Sequence, residues 1–479
     1  MVAGGPATGA AARAPAGRDR RVDLFVLAVE VVLVAGAALV GALLNGRGVR
    51  LHADAAPLYA TWGPHLGWGT PAAVLLAGAV LWWGPAWATR ASWRRLLTAG
   101  YLGSVAWTLA LALVDGWRRG LIDRLTPQAE YLPEVPKAGS VSRLLAEFTG
   151  RILDFQPDSY ATHAAGHPPG ALLLFVVLDR IGLGGGGPAA FCCVLVGATV
   201  AVSVPVTLRA LGDEAAARAV VPFLVLFPGA VWVGASADGI FAGVVAAGLA
   251  LLAVQPLGRT PVRHLAALGG GLLLGSALYL SYGFVLVGLL AATVIALRHA
   301  GRVAALAAAA LGTAAVVAAF TATGFWWPDG YHLVVQRYYQ GWAADRPYTY
   351  WLWANLAALI LSAGPAVAPA LRRATVAAWS HLSGSIMKLL SRPSARRDNN
   401  FMINGERGAV VWLPVVALGV VALADLSGLS KAEVERIWVP FAVWLLVAVA
   451  RLPAADRRWW LAGQAVTALA VNHLVFTSS

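Results

Sequence analysis

Long apolar runs alternate with short polar segments along almost the whole chain. A helix needs about 20 apolar residues to cross the hydrocarbon core of a bilayer. Inside that core the backbone must satisfy its own hydrogen bonds, which favours helices. The pattern therefore predicts an all-α fold, a polytopic transmembrane bundle of about 13 spans. These are expected at about 24–45, 71–88, 97–114, 189–208, 218–236, 238–254, 265–280, 283–297, 302–321, 350–369, 409–426, 437–451 and 458–475.

The polar segments divide the rest of the chain. Residues 1–22 are rich in Gly, Ala, Pro and Arg without any period, which predicts a disordered cytoplasmic tail. Residues 23–479 are expected to form a single transmembrane domain. That domain contains an external loop at 115–170 and a cytoplasmic loop at 372–407. The cytoplasmic loop includes the stretch SGSIMKLL, which predicts a short amphipathic helix on anionic lipid.

The charge pattern gives the orientation of the predicted spans. The chain is 59% hydrophobic and 12% charged, with a formal net charge of +13. With the N-terminus inside, roughly two thirds of the 36 Lys and Arg residues fall in cytoplasmic segments, as the positive-inside rule requires. This holds only if the helix near 170–183 lies at the outer interface instead of spanning. The positive charge is therefore a topology signal, and no nucleic-acid partner is expected.

The external loop is the predicted working surface, because functional residues concentrate on loops held by a rigid scaffold. Asp115 stands where an apolar run ends, and the segment YATHAAGHPPG stands where the chain returns to the membrane. His163 and His167 are four residues apart, as zinc ligands on a helix would be. No glutamate accompanies them and two prolines follow, so the pattern favours a turn over a metal site.

Other polar residues on the predicted outer side are candidates for a site. Aromatic residues dominate the loop at 325–355 and are typical of a girdle at the membrane interface. Arg337 and Arg346 in that loop lie outside against the positive-inside bias, so they need something anionic nearby. Glu433 and Arg436 are three residues apart, which predicts one helical face and either an ion pair or a phosphate site. The remaining candidates are Asp54, Asp238 and Tyr282.

Several motifs together resemble integral-membrane glycosyltransferases of the GT-C class. They are HPPGALLLFVVLDRIG, LRALGDEAAARA and LFPGAVWVGASAD, with RPYTYWLWANL and Glu-x-x-Arg-Ile-Trp further on. The class includes protein O-mannosyltransferases, bacterial aminoarabinose transferases and mycobacterial arabinosyl- and mannosyltransferases. The similarity covers roughly residues 97–310. Two spans precede the helix matched to the family's first one, a single Asp115 replaces paired acids, and Gly170 stands where Leu is usual.

The resemblance implies a function in a bacterial plasma membrane, with the site facing outside. Such enzymes move a sugar from a polyprenyl-phosphate donor to an acceptor hydroxyl on a glycan, lipid or protein. The resemblance fixes no cofactor and leaves room for a divalent cation. It implies a carboxylate base and cationic groups for the phosphate. Asp115 is the expected base, with Asp54 and then Asp238 as substitutes; the expected substrate-binding residues are His163, His167, Asp238, Tyr282, Arg337, Arg346, Glu433 and Arg436.

Two other classes of protein compete with this interpretation. A secondary transporter or a flippase of lipid-linked sugars would show repeated halves and helices broken at mid-membrane. The sequence has no convincing repeat, and its acidic residues stand at loop edges. A non-catalytic partner in a cell-envelope complex is the third class. Spatial arrangement separates them, since an enzyme gathers its polar groups at one outward site and a transporter spreads them along a path through the membrane.

The predicted topology can be tested by labelling single cysteines in intact cells. In a background without Cys192 and Cys193, Ser140→Cys is expected to react with a membrane-impermeant maleimide, because it lies in the predicted external loop. Leu390→Cys is expected to react only after the cells are opened. Labelling of position 390 but not of position 140 in intact cells would invert the topology and remove the outward-facing site.

Overall fold

The computed structural model describes residues 16–234, 236–255, 262–391 and 408–477, and this part of the chain is predominantly helical. Its α-helices are α1 Ala16–Gly46, α2 Gly69–Arg90, α3 Trp93–Ala112, α4 Val141–Glu147, α5 Thr162–Gly166, α6 Pro169–Arg180, α7 Gly186–Ala198, α8 Val200–Ala210, α9 Glu214–Val225, α10 Ala230–Val233, α11 Asp238–Ala253, α12 Val262–Ala277, α13 Val287–Leu297, α14 Arg302–Ala322, α15 Trp327–Gln340, α16 Tyr348–Ala363, α17 Val367–Ser391, α18 Ala409–Leu426, α19 Val434–Ile437, α20 Val439–Leu445 and α21 Arg457–Leu474.

Short irregular helices and one small β-ribbon complete the described structure. The 3₁₀ segments are Leu132–Lys137, Thr149–Arg151, Tyr282–Leu286, Trp342–Ala344 and Leu446–Arg451, and Arg118–Ile122 forms a π-helical turn. Strand β1 Ala60–Trp62 pairs antiparallel with strand β2 Val475–Thr477, with Thr61 opposite Phe476. The ribbon departs from an all-α fold only locally, but it fastens the end of α21 to the loop between α1 and α2.

The described residues contain five helices long and apolar enough to cross a membrane, or six if α16 and the start of α17 count as one bent span. They are α1 from Arg18, α2, α7 with α8, α14 and α18. This is the helix content of a polytopic membrane protein. Each predicted span falls on helix, but several of the helices have only 10–17 residues. A short helix can lie inside a bundle where other helices cover its ends, so length alone does not give the full number of crossings.

One predicted segment needs correction. Residues 16–22, expected in a disordered tail, are the first turns of α1, while residues 1–15 lie outside the described residues. In the segment predicted as a cytoplasmic loop at 372–407, α17 continues to Ser391 and covers the stretch SGSIMKLL, for which a helix is predicted; residues 392–407 are likewise not described. Ion pairs hold the N-terminal part of α1 against α17. Asp23 of α1 lies 2.6 Å from Arg373 and 2.8 Å from Arg372.

Two predicted spans are interrupted at Gly and Pro, which end helices by removing a donor or by allowing unusual backbone angles. The span predicted at 218–236 breaks at Pro228 between α9 and α10. At this buried break the indole of Trp107 donates to the carbonyl of Phe227 at 3.2 Å. The span predicted at 350–369 bends by 104° between α16 and α17.

Helix α11 lies at the centre of the bundle. It is apolar on all sides and buried along nearly its whole length, as a helix surrounded by other helices must be. It packs against α7, α8, α12, α13 and α20. Helix α20 is buried as well. These two helices matter for the site because each carries a charged residue at its start: Asp238 in the first turn of α11, and Arg436 just before α20.

Segments predicted to share one side of the membrane do contact each other. On the predicted inner side, Asp23 binds Arg372 and Arg373, and Arg20 lies 3.8 Å from Asp456. The segments predicted outside, 47–68, 113–168, 324–347 and 427–438, meet at the opposite end of the bundle. We call these four segments the polar end.

Substitution of Gly364, at the bend between α16 and α17, measures how much stability depends on the backbone geometry of the bend. Its φ of +90° and ψ of 159° lie in a region that is essentially reserved for glycine. A Cβ there would overlap the side chain of Gln464, which donates to the carbonyl of Ala363 at 3.0 Å. Gly364→Ala should therefore cost roughly 1–3 kcal/mol of stability or more and lower the melting temperature in detergent.

Gly384→Ala is the matched control, because a Cβ at Gly384 meets open space on the same helix. Alanine is a better helix former than glycine, so this change should leave the melting temperature equal or slightly higher. Equal melting temperatures for the two variants would mean that the bend carries no strain.

Candidate functional site

The centre of the polar end is the buried guanidinium of Arg436. Its Nη1 donates to Asp238 Oδ2 at 3.2 Å, and its Nη2 donates to Glu433 Oε2 at 2.7 Å. Nη2 also lies 3.0 Å from Nε2 of His163. Within the described residues Nε has no hydrogen-bond partner although it is buried. Burial lowers the pKa of Arg436, but Glu433 and Asp238 outweigh burial and hold it above its ordinary value. Arg436 is thus a permanent cation among carboxylates, and Nε is its one nitrogen without a hydrogen-bond partner within the described residues.

His163 extends the cluster to a third carboxylate. Its Nδ1 lies 2.8 Å from Glu130 Oε1, although the two atoms are out of line for a well-formed hydrogen bond. Because Arg436 can only donate, Nε2 of His163 must accept from it, and Nδ1 is then the nitrogen that carries a proton. The arrangement orients a neutral imidazole between a carboxylate and a guanidinium.

Glu433 links Arg436 to a second buried guanidinium, that of Arg346. Arg346 Nη1 lies 3.2 Å from Glu433 Oε1 and donates to the carbonyl of Lys431 at 2.8 Å. Its other donors reach the carbonyls of Leu51 and His52, each at 3.2 Å. Four of its five donors are therefore used by the protein itself. Arg346 is a positioning residue that joins the 47–68 and 427–438 segments.

The backbone around this link is strained. His52, Ala432 and Glu433 have φ values of 49°, 68° and 64°, a region that non-glycine residues rarely occupy. Such residues cost on the order of 1–3 kcal/mol each and persist only where their surroundings hold them. Glu433 therefore precedes helix α19 in a left-handed conformation, which corrects the prediction that it shares a helical face with Arg436. The ion pair between Glu433 and Arg436 forms without a shared helical face.

Opposing effects set the charge of the two glutamates in this segment. Burial raises the pKa of Glu433, but Arg436 and Arg346 outweigh it and lower the pKa to about 2. Among the described residues Glu435 forms no ion pair with a guanidinium group; it accepts a hydrogen bond from the backbone N–H of Tyr59 at 2.7 Å. Burial raises the pKa of Glu435 to about 7, despite that hydrogen bond. Two carboxyl groups two residues apart thus differ in charge at neutral pH.

Asp115 belongs to a neighbouring cluster. Its Oδ1 lies 2.8 Å from His65 Nε2, and its Oδ2 lies 3.5 Å from Arg124 Nη2. The other ring nitrogen of His65 faces the carbonyl of Gly63 at 2.8 Å. Both ring nitrogens therefore face oxygen atoms, and these two contacts fix the orientation of the ring against Asp115. Arg124 also donates to the carbonyl of Thr477 in β2.

Glycine allows the first loop to approach Asp115. A Cβ at Gly67 would overlap the carbonyl of Val114, and one at Gly69 would overlap the carbonyl of Ala110. The backbone of the 47–68 segment therefore rests directly on the end of α3. This close approach brings His65 to Asp115.

Glu130 stands between the two clusters. Its charge acts on Arg124 and on Arg436, and it is fully enclosed by the polar end. Asp115, Glu130 and Asp238, from three distant parts of the chain, are thus neighbours through their guanidinium partners.

His167 has a supporting role in the turn. Its Nδ1 lies 2.9 Å from the hydroxyl of Tyr131 and 2.9 Å from the carbonyl of His163. Burial lowers the pKa of His167 to about 4, so the ring is neutral at physiological pH. It orders the loop that carries His163.

Three predicted site residues lie apart from the Arg436 cluster. Asp54 is exposed, and no side-chain partner is found for it within the described residues. Tyr282 packs edge-on against Trp327, with ring centroids 5.3 Å apart. Arg337 forms an ion pair with Asp154. The anions expected beside Arg337 and Arg346 are therefore carboxylates of the protein, Asp154 and Glu433.

Sequence reasoning missed Glu130, His65, Arg124 and Glu435. Glu130 and Arg124 lie in the mixed-charge middle of the external loop, where nothing distinguishes them from solvated residues. Comparisons with protein families, with curated proteins and with solved structures find no match for this chain. In the described part of the chain, no group of three or more His, Cys, Asp or Glu side chains is arranged to hold a metal ion.

The raised pKa of Glu435 predicts a pH dependence of stability. Between about pH 4.5 and pH 7 the folded protein keeps a proton on Glu435 that the unfolded chain has lost. Stability should therefore fall as pH rises through this window, by roughly 3 kcal/mol in all, and level off above it. Melting curves recorded from pH 4.5 to 8 should show this decline.

Glu435→Gln keeps the hydrogen bond from Tyr59 but cannot titrate. Its melting temperature should lack the part of the decline that Glu435 causes, so the difference between the two proteins should change across the window. Parallel curves for parent and variant would contradict a protonated Glu435 in the folded state.

Proposed function

We propose that this chain is a membrane glycosyltransferase of the GT-C type, which moves a sugar from a polyprenyl-phosphate donor to an acceptor hydroxyl at the polar end. One observation carries the proposal. His163 and Asp238 lie 273 and 198 residues from Arg436 in the chain, yet both contact its guanidinium, as does the nearby Glu433. Asp238, Glu433 and Arg436 belong to two of the motifs on which the resemblance to this class rests, and His163 lies four residues before the His-Pro-Pro motif.

The chemistry needs a base, a cation and a bond exchange. An acceptor oxygen forms a bond to the anomeric carbon of the sugar as the bond from that carbon to the phosphate oxygen breaks. The acceptor proton passes to Asp115, and polyprenyl phosphate leaves with its negative charge. Asp115 fits the role of base because His65 and Arg124 fix both of its oxygens. Arg436, with its unused Nε, fits the role of phosphate ligand.

The proposal includes a location and a topology. The chain would lie in a bacterial plasma membrane with about 13 crossings and the polar end outside, in contact with membrane lipid. The acceptor would be a glycan, a lipid or a protein. Most of the buried charged side chains of the described residues lie at the polar end, which supports an enzyme, because a transporter needs polar groups along its whole path.

One observation favours a second candidate, a transporter or flippase of lipid-linked sugars. Glu30 lies within the apolar part of α1 and is 4% exposed. Within the described residues, neither of its carboxylate oxygens makes a well-formed hydrogen bond, and the polar group beside them is the backbone of Ala368 in α17, near the bend at Gly364. Ionisable groups inside spans are costly and often mark ion or substrate pathways.

The two candidates are separated by one reconstitution experiment. Purified protein in proteoliposomes is supplied with polyprenyl phosphates that carry radiolabelled hexoses or pentoses, together with cell-envelope acceptors. A transferase releases polyprenyl phosphate and labels the acceptor. Movement of the intact labelled lipid between leaflets, with no labelled acceptor formed, would reject the enzyme and favour the flippase.

Asp115→Asn tests the proposed base. Asparagine keeps the size of aspartate and can donate to His65 while it accepts from Arg124, but it cannot take a proton at neutral pH. Folded, membrane-inserted protein should result, with transfer reduced by roughly the hundred- to ten-thousand-fold of a lost general base. Initial rates of label transfer measure the loss, and donor binding should be nearly unchanged.

Asp54→Asn is the control, because Asp54 is an exposed carboxylate of the same polar end. It should retain most of the activity. A parent-like rate for Asp115→Asn together with a large loss for Asp54→Asn would move the base to the first loop and shift the family match by two helices.

A further inference from the structure

A cavity of about 370 Å³ opens in the external loop, next to the Arg436 cluster. This volume is near the lower end of roughly 300–1,000 Å³ found for small-ligand pockets. We call it the loop cavity. It is lined by Gln128, Ala129, Glu134, Lys137, Asp154, Ser159, Tyr160, Ala161, Thr162 and Arg337.

The lining is polar but its charges are already paired. Lys137 Nζ lies 2.9 Å from Glu134 Oε1, and Arg337 is paired with Asp154. Burial raises the pKa of Asp154, but the hydrogen bond from Arg337 outweighs burial and lowers it below its usual value, so the carboxylate stays charged. Arg151 adds a third cation, 3.7 Å from Glu134 Oε2 and 3.5 Å from Asp158 Oδ2, so three cations face three anions. Such a lining offers little net attraction to a phosphate and suits a neutral ligand that makes many hydrogen bonds.

One buried hydroxyl in the lining makes no hydrogen bond within the described residues, that of Tyr160. Arg151 lies over the Tyr160 ring at 4.0 Å, and Phe148 packs against the ring at 4.8 Å. The ring is thus occupied by protein groups, and its hydroxyl is the part left for recognition. Glu134 Oε2 is engaged instead by Arg151 Nη2 at 3.7 Å. The Tyr160 hydroxyl can donate to or accept from a ligand hydroxyl.

The back wall of the loop cavity adjoins the Arg436 cluster. The backbone N–H of His163 donates to the carbonyl of Ala129 at 2.9 Å. Ala129 and Thr162 line the cavity, whereas their neighbours Glu130 and His163 turn towards Arg436. One pair of hydrogen-bonded segments therefore separates the cavity from the Arg436 cluster.

We infer that the loop cavity binds the acceptor, and that the acceptor is a neutral, hydroxyl-rich glycan. The role of this ligand as the acceptor rests on the proposed function. The binding of a neutral glycan does not, and it can be tested without any transfer. The glycan would enter the loop cavity from the aqueous side, while the lipid donor would reach Arg436 from the membrane.

The test uses the purified full-length protein in lipid nanodiscs, without donor. Two kinds of probe are compared by saturation-transfer NMR and calorimetry: neutral oligosaccharides of hexopyranose and of pentofuranose residues, and inorganic phosphate. At least one neutral oligosaccharide is expected to bind, and phosphate is not. Tyr160→Phe, which removes only the hydroxyl, should weaken binding about tenfold, as expected for one lost hydrogen bond to a buried group.

Tyr348→Phe is the matched control, because that hydroxyl donates to the carbonyl of Leu426 away from the cavity; binding should be unchanged. If Tyr160→Phe does not fold, Thr162→Val replaces it, since it removes a lining hydroxyl at nearly constant shape. Binding of phosphate alone, no binding across the panel, or equal affinities for parent and cavity variants would overturn the inference. Glycan binding without transfer from any donor would instead leave the inference standing and reject the proposed function.

Discussion

The polar end depends on one chain of buried charges, in which Glu433 lies between the guanidinium groups of Arg346 and Arg436. Removing one partner from such a chain is strongly destabilising, because the others remain buried and unpaired. Arg346 also spends its remaining donors on backbone carbonyls of Leu51, His52 and Lys431. The strained backbone at His52 and Glu433 is therefore held by the same charges that it positions.

The membrane bundle explains why these charges meet. Helices α11 and α20 are buried on all sides, so their positions are fixed by packing and not by loops. Asp238 and Arg436 lie at the starts of these helices, so the packing of the helices fixes their positions as well. His163 comes from a loop instead, but the hydrogen bonds of Tyr131 and His167 fix the turn that carries it. A site built in this way needs little rearrangement to hold a charged ligand.

Much of the helical layout could be predicted from the sequence, since apolar runs of membrane length dominate it. The breaks at Pro228 and Gly364 were missed because a hydropathy window averages over single Pro and Gly residues. The positive-inside rule marked Arg346 as unusual and in need of an anion, which was correct, but nothing local points to Glu433, 87 residues away, as its partner. Likewise the three-residue strand β2, which carries Thr477 to Arg124, has no periodic signal.

Glu130 links the Asp115 cluster and the Arg436 cluster electrostatically. Its charge acts on both Arg124 and Arg436, which are the ion-pair partners of Asp115 and Asp238. Under the proposed function, a negative leaving group at Arg436 would compete with Glu433 and Asp238 for the same guanidinium. Glu130 is the carboxylate placed to link that competition to Arg124, beside Asp115.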